Sequence, residues 1–281
     1  MHRPALVNDA ITIDEAGIES GRYCGFHLKS AYQPVFRRDG DRLIPFAVEG
    51  LIMPFLDGKA VAPGRLFAET QLGDRMFMES MCRALHLRNH HNIGVSGIRL
   101  FFNFDPHVNS DVAASVGQIR YMAKRLREIG LDSRLLVCEI TEASTLSGAS
   151  LVRIAAEMRR HGIRLAIDDF GSGHSTLERV ELIEPDFVKI DGAWFRQIAK
   201  APGTSRLLAS LVEGFKSRGA EVLIEGIETR HHLRTALDAG AGFLQGYLLA
   251  RPALAGTLFD LAPLSIEALA RDGQEVVRAL R

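Results

Sequence analysis

Eight short apolar runs alternate with longer amphipathic stretches along this chain, and that alternation constrains the fold more than any other feature. The apolar runs lie at 30–36, 43–52, 98–104, 134–140, 163–168, 186–191, 220–227 and 242–249. Three of the amphipathic stretches, 111–130, 151–162 and 205–219, have apolar residues at helical spacing and end in glycine, a common signal for the end of a helix. Units of helix, glycine and strand in succession predict parallel strands covered by helices.

Eight strands with helices between them favour a closed (β/α)8 barrel, and an open doubly wound sheet is the alternative. The chain has 281 residues, of which 47% are hydrophobic, so it can bury the core of a single barrel. We expect residues 1–25 to form an N-terminal extension. We expect residues 26–281 to form one barrel domain, with a closing helix within 263–281.

The composition excludes several classes of protein. Basic and acidic residues number 34 each, so no overall basic excess suggests a nucleic-acid polymer as partner. Three cysteines far apart in sequence, Cys24, Cys82 and Cys138, argue against a disulfide framework or a zinc cluster. No apolar run approaches the roughly 18 residues that a membrane span needs, and acids stand near the N-terminus where a signal peptide has an apolar run. We therefore expect a soluble cytoplasmic protein.

Histidines 86, 90 and 91 form a small cluster in a predicted helix. His86 and His90 have i, i+4 spacing, but the glutamate of a zinc-binding HExxH motif is missing between them. We interpret these histidines as part of a solvated, partly basic helix face.

Polar residues recur at the carboxyl end of one predicted strand after another. They are Glu49, Asn103, Glu139, Asp168, Asp169, Lys189, Glu225 and Gln245. In a barrel these strand ends converge on one face, where active sites are built. A single acid at such a position is more often a helix cap or a solvated loop residue, and Asp169 alone can be interpreted as a cap. Recurrence in strand after strand favours a shared site.

The chemistry of these residues favours divalent cations. Carboxylates gathered at one barrel mouth repel and desolvate one another unless a cation compensates them. Carboxylate oxygens together with one amide suit Mg²⁺ or Mn²⁺ rather than zinc. The adjacent Asp168 and Asp169 suggest two ions, and two ions about 3.5–4 Å apart are the usual device for in-line attack at phosphorus. The residues alone therefore predict a two-metal phosphoester hydrolase.

Eight motifs also occur in the order of a known family. They are YQPVF (32–36), EGL (49–51), FNFDP (102–106), CEITE (138–142), IDDFGSGHSTL (167–177), FVKIDG (187–192), IEGIET (224–229) and LQGYLLARP (244–252). Through them the chain resembles the EAL-domain family, bacterial phosphodiesterases that cleave cyclic di-GMP to linear pGpG. The resemblance implies a modified TIM barrel whose first strand is antiparallel to the others.

The resemblance also implies roles for individual residues. The metal ligands would be Glu49, Asn103, Glu139, Asp168 and Asp169. Lys189 would hold the nucleophilic water and the phosphate charge, and Glu225 would be either the general base or an acid that orients the water. Glu142 would anchor the loop that follows Asp169, and the alternative for it is an acid at a helix N-terminus. Residues on the substrate side would be Gln33, Leu51, Asp191, Glu228 and Gln245.

Ligands and assembly follow from the same resemblance. We expect cyclic di-GMP as substrate and two divalent cations, Mg²⁺ or Mn²⁺, as cofactors. Ca²⁺, which tolerates looser coordination, is expected to bind without supporting turnover. We further expect a homodimer formed through the glycine-containing loop after Asp169.

Departures from the family pattern lie mainly on the substrate side. Met53 stands where the family has an arginine that binds a substrate phosphate, and a thioether donates no hydrogen bond. Gly50 replaces the signature alanine, His174 a loop tyrosine and Gly192 a common arginine. We therefore expect a phosphodiesterase with weakened substrate binding, or alternatively a cyclic di-GMP receptor or protein-interaction module that hydrolyses little. Three cations that could replace the arginine are Lys59, Arg65 and Arg179.

Overall fold

A barrel of eight strands covered by helices forms the centre of the structure. The computed structural model describes residues 5–106, 111–140, 147–173, 177–201, 204–260 and 262–271. The strands are β1 (Ile11–Ile13), β2 (Glu19–Tyr23), β3 (Phe26–Asp39), β4 (Arg42–Leu56), β5 (Lys59–Ala60), β6 (Arg99–Phe104), β7 (Leu136–Ile140), β8 (Arg164–Phe170), β9 (Phe187–Ile190), β10 (Glu221–Ile224), β11 (Phe243–Leu244), β12 (Ala253–Leu254) and β13 (Leu264–Ser265). The helices are α1 (Pro63–Glu69), α2 (Arg75–Asn89), α3 (Val112–Glu128), α4 (Gly148–Arg160), α5 (Leu177–Ile183), α6 (Gly192–Ile198), α7 (Thr204–Lys216), α8 (Arg230–Asp238) and α9 (Ile266–Arg271).

The barrel wall runs through β3, β4, β6, β7, β8, β9, β10 and β11, and it closes where β11 pairs with β3. Strand β3 is antiparallel to both of its neighbours in the wall, whereas the pairs from β4 to β11 are parallel. Only Gly40 and Asp41 separate β3 from β4, and so short a link allows only antiparallel pairing. The predicted closed barrel with an antiparallel first strand is confirmed.

The three predicted helices form, with small shifts at their ends. Gly130 and Gly162, which follow α3 and α4, have φ angles of 70° and 76°, the left-handed conformation that ends a helix. Helix α4 begins three residues earlier than predicted, because the Ser147 side chain accepts a hydrogen bond from the Ser150 backbone N–H and caps the helix there.

Two predicted strands are much shorter than the apolar runs that predicted them. Beyond the ends of β10 and β11 the two segments remain hydrogen-bonded but leave the regular strand pairing. The Ile227 N–H donates to the Gln245 carbonyl at 3.0 Å, and the Leu248 N–H donates to the Ile227 carbonyl at 2.9 Å. A Cβ on Gly246 would lie 2.2 Å from the backbone N and O of Ile227, so only glycine permits this close approach.

Strands β1 and β2 extend the sheet beyond the barrel, with β2 antiparallel to the first residues of β3. A separate apolar cluster that includes Tyr23, Leu28, Met78 and Met81 packs them against α2. The division of the chain at residue 25 stays a prediction. No helix in the described part of the chain is long and apolar enough to cross a bilayer.

Helix α2 buries two of the three clustered histidines. His86 is 5% exposed, its Nδ1 lies 2.9 Å from Ser30 Oγ, and its backbone carbonyl accepts a hydrogen bond from the Tyr32 hydroxyl at 2.6 Å. His90 Nε2 lies 3.0 Å from the Ile98 carbonyl. The interpretation as a solvated face is wrong for these two, because both are buried and one ring nitrogen of each contacts an interior polar group. His91 is exposed.

One side chain from each wall strand forms an apolar layer inside the barrel. The layer consists of Val35, Ala47, Phe101, Val137, Ala166, Phe187, Leu223 and Phe243. The Phe187 ring is its most connected member, with centroids 6.1 Å from Phe46, 5.3 Å from Phe101 and 5.3 Å from Phe243. The apolar layer excludes water from the barrel interior and forms the floor of its mouth.

We expect Phe187→Ala to lower the free energy of unfolding by about 3–5 kcal/mol, because it leaves a cavity in this layer. Phe67→Ala is a matched control, since Phe67 is 47% exposed on α1, and we expect it to cost less than about 1 kcal/mol. Urea unfolding of both variants measures the difference. Equal losses would contradict the assignment of the apolar layer as the barrel core.

Candidate active site

A second layer of eight side chains lies directly above the apolar layer, and it is polar. Side chains alternate along a strand, so the residue two positions nearer the barrel mouth points into the same interior. Those positions hold Gln33, Glu49, Asn103, Glu139, Asp168, Lys189, Glu225 and Gln245. Seven of the eight residues singled out at strand ends are therefore gathered in one layer, and Gln33 joins them from the antiparallel strand β3.

Lys189 is the centre of this polar layer. Its side chain is 1% exposed, and its Nζ lies 2.5 Å from Glu139, 2.8 Å from Glu225, 2.9 Å from Asp168 and 3.0 Å from Glu49. Burial alone would lower the pKa of Lys189, but the carboxylates around it together raise that pKa well above its usual range. The ammonium group therefore stays charged.

One lysine does not compensate four carboxylates. Burial, with the charges of Glu49 and Asp168, raises the pKa of Glu139 well above its usual range. Burial, together with Asp168 and Glu49, also raises the pKa of Glu225 to about 8. Glu139 Oε2 and Gln245 Oε1 are buried and have no hydrogen-bond partner among the described residues. The polar layer thus carries an excess of negative charge and spare oxygen ligands.

The adjacent Asp168 and Asp169 reach the same site because β8 is irregular at this point. A regular strand would direct them to opposite faces. The pairing of β8 with β9 shifts register between Ile167 and Phe170, and Asp169 has a φ of 53°, which is uncommon outside glycine. One carboxylate oxygen from each of Asp168, Asp169 and Glu225 lies within 4.8 Å of the others. This grouping favours the ligand interpretation of Asp169 over the helix cap.

The residues present fit divalent cations. The oxygens are mostly carboxylates, with amides from Asn103, Gln33 and Gln245, and the polar layer contains no thiolate or imidazole. Hard oxygen ligands of this kind suit Mg²⁺, Mn²⁺ or Ca²⁺. Burial, followed by the charge of Asp168, raises the pKa of Asp169 to about 6, and a nearby cation would reverse that effect.

Four residues predicted on the substrate side lie in the polar layer or follow the ends of β9 and β10. Gln33 Nε2 donates to the Ala250 carbonyl at 3.2 Å, and Gln245 Nε2 donates to Glu49 Oε2 at 2.8 Å. Asp191 follows β9 and accepts a hydrogen bond from the Trp194 N–H at 2.7 Å, which caps α6. Glu228 pairs with Arg196 at 3.1 Å. Glu142 and His174 lie outside the described residues.

A cleft of about 730 Å³ opens beside the polar layer, between β4, α1, α2 and the segment after β6. Asn103 of the polar layer, Leu51 and Met53 all line it. Sequence reasoning missed several polar residues of its wall, among them Arg75, Glu79, Arg83, Asp105 and Tyr247. Helical spacing places Arg75 and Glu79 on one face of α2, but it does not show which part of the barrel that face meets.

Comparison with proteins of known sequence gives the same family as the motifs. The EAL domain model matches residues 25–252. The chain is 28% identical over 202 residues to the probable cyclic di-GMP phosphodiesterase PdeA of Escherichia coli (strain K12), a match that covers 70% of this chain and 27% of PdeA. The match thus spans about a quarter of that relative's length.

Solved structures show the same fold. The Bacillus subtilis YkuI protein, in complex with substrate c-di-GMP and calcium, superposes with a TM-score of 0.71 at 24% identity, over 83% of this chain and 57% of that one. The manganese and c-di-GMP complex of Klebsiella pneumoniae BlrP1 superposes with a TM-score of 0.73 at 24% identity, over 85% of this chain and 59% of that one. The family model covers most of the sequence and the fold agrees with it, so the chain belongs to the EAL domain family.

Proposed function

We propose that this chain hydrolyses cyclic di-GMP to linear pGpG with the help of two divalent cations. The observation that carries the proposal is the buried polar layer, in which Lys189 contacts four carboxylates at the end of a cleft. The family membership supports it, because the relative named above is a probable cyclic di-GMP phosphodiesterase.

Five residues of the site would hold the cations, namely Glu49, Asn103, Glu139, Asp168 and Asp169. Mg²⁺ or Mn²⁺ bound there would supply Lewis-acid activation of the phosphodiester. Ca²⁺ would occupy the same ligands without supporting turnover, because it accepts looser and more variable geometry.

Lys189 and Glu225 would act on the reacting groups. The Lys189 ammonium would balance the charge of the phosphate and hold the attacking water. Glu225 Oε1, 2.8 Å from Lys189 Nζ, would face the same water. The water oxygen forms a new bond to phosphorus while the ester bond to one ribose oxygen breaks, which opens the ring and gives a linear dinucleotide. Glu142 is proposed to anchor the loop after Asp169.

The substrate side would include Gln33, Leu51, Asp191, Glu228 and Gln245. The second candidate function is a receptor or interaction module that keeps the barrel but hydrolyses little. Met53 favours it, because this side chain lines the cleft and offers no hydrogen bond to a phosphate.

We also propose a homodimer formed through the loop after Asp169. The beginning of that loop is packed closely, since a Cβ on Gly171 would lie 2.5 Å from the Trp194 ring. The beginning of the loop therefore packs against α6 directly after the carboxylates of β8. A partner subunit that contacts the loop would thereby affect the position of these carboxylates.

We expect purified protein to hydrolyse cyclic di-GMP in Mn²⁺ or Mg²⁺ and to stop in excess EDTA. Asp168→Asn should lower kcat by more than about 100-fold, since loss of a direct ligand should exceed the 10–100-fold effect of outer contacts. Asp39→Asn is the control, because Asp39 is exposed at the opposite end of β3 from the site.

Hydrolysis that continues unchanged in EDTA would contradict the metal mechanism. Binding of cyclic di-GMP in Ca²⁺ without hydrolysis in Mn²⁺ would instead support the receptor function.

For the assembly, analytical ultracentrifugation at assay concentrations should show a species of twice the chain mass. Its dissociation on dilution should reduce specific activity, because the loop would lose its partner contact. A fully active monomer would rule out the dimer as the active form.

A further inference from the structure

The cleft wall lacks a cation where the family has a phosphate-binding arginine. Met53 occupies that position on β4 and lines the cleft. A cyclic dinucleotide carries two phosphodiester charges, and a phosphate buried beside a thioether would lose its hydrogen bonds to water without replacement. Another cation in the same cleft would supply the missing hydrogen bonds and compensate the phosphate charge.

Among the described residues that line the cleft, two are cations, Arg75 and Arg83. Arg83 is already paired. Its side chain is 8% exposed, it donates to Glu79 at 3.3 Å and to Gln118 at 3.1 Å, and its guanidinium lies 5.1 Å from the Phe104 ring centroid. Its charge and hydrogen bonds are therefore satisfied within the protein.

Arg75 differs from Arg83 in its exposure and in its lack of a partner among the described residues. It is the first residue of α2, its side chain is exposed, and it makes no ion pair or side-chain hydrogen bond within the described part of the chain. Glu79, four residues later, does not pair with it, because Glu79 Oε1 already accepts from Arg83 and from the Asp105 N–H at 2.9 Å. Arg75 thus borders the cleft with a guanidinium that no described residue pairs with.

The three cations suggested by the sequence lie elsewhere. Arg65 pairs with Glu69 at 2.7 Å on α1. Lys59 is exposed on β5, and Arg179 belongs to α5, which follows β8 rather than β4. None of the three lines the cleft.

We propose that Arg75 binds a phosphodiester of the substrate in place of the arginine missing at Met53. This inference rests on the proposed function, since it names the residue that recognises the substrate of that site. The guanidinium can donate two hydrogen bonds to one phosphate, so helix α2 would supply a contact that Met53 on β4 cannot make. The contact involves a non-reacting charge, so it lowers KM and leaves kcat nearly unchanged.

The test compares wild type, Arg75→Ala and Arg65→Ala in titrations of cyclic di-GMP with Ca²⁺, followed by turnover in Mn²⁺. Arg75→Ala should weaken binding at least about 10-fold, the loss expected from even one charge-assisted hydrogen bond. It should raise KM by a similar factor and leave kcat within about twofold. Arg65→Ala removes another exposed arginine, from the neighbouring helix and outside the cleft lining, and should change neither value. Adding Met53→Arg to Arg75→Ala should recover most of the lost affinity.

Three outcomes would overturn the role of Arg75, and one of them would also overturn the proposed function. If Arg75→Ala binds cyclic di-GMP as tightly as wild type does, this inference is overturned and the proposed function stays in place. Equal losses in Arg75→Ala and Arg65→Ala also overturn it, because they would indicate general surface charge rather than a specific contact. Absence of cyclic di-GMP binding by wild type overturns the proposed function and this inference together.

Discussion

The contact between Lys189 and four buried carboxylates is the interaction on which the barrel mouth depends. Taking several acids out of water at one place is unfavourable unless positive charge compensates them. The ammonium group does so for Glu49, Glu139, Asp168 and Glu225 at distances of 2.5–3.0 Å. Burial, together with the charges of the neighbouring acids, still raises the pKa values of Glu139 and Glu225. The compensation by Lys189 is therefore incomplete, and the site fits further cations.

The two layers inside the barrel explain how this charge can be concentrated there. Each wall strand gives one apolar residue to the lower layer and, two positions nearer the mouth, one polar residue to the upper layer. Phe187 and Lys189 show the pattern on a single strand, since Phe187 packs among aromatic rings while Lys189 contacts the acids. The apolar layer closes the barrel to water from below, and the cleft opens beside the polar layer at Asn103.

Much of this arrangement could be predicted from the sequence. Apolar runs with a polar residue at the end give both the strands and the layer, because the alternation of side chains is fixed by the backbone. The meeting of Asp168 with Asp169 could not be derived in this way, since it depends on an irregularity in β8 that the pattern does not show. The burial of His86 and the position of Arg75 were also missed. Both depend on how α2 packs against the barrel, and helical periodicity leaves that open.

If Lys189 compensates the buried carboxylates, divalent cations that bind the same oxygens should do so too. The most direct measurement is urea unfolding of wild type and Lys189→Met, each in EDTA and in Mn²⁺, with Lys124→Met, 68% exposed on α3, as control. In EDTA we expect Lys189→Met, but not Lys124→Met, to lose about 3–5 kcal/mol of unfolding free energy. Mn²⁺ should stabilise the Lys189→Met variant more than it stabilises wild type. Equal stability of Lys189→Met and wild type in EDTA, or no gain from Mn²⁺ in the variant, would contradict the account.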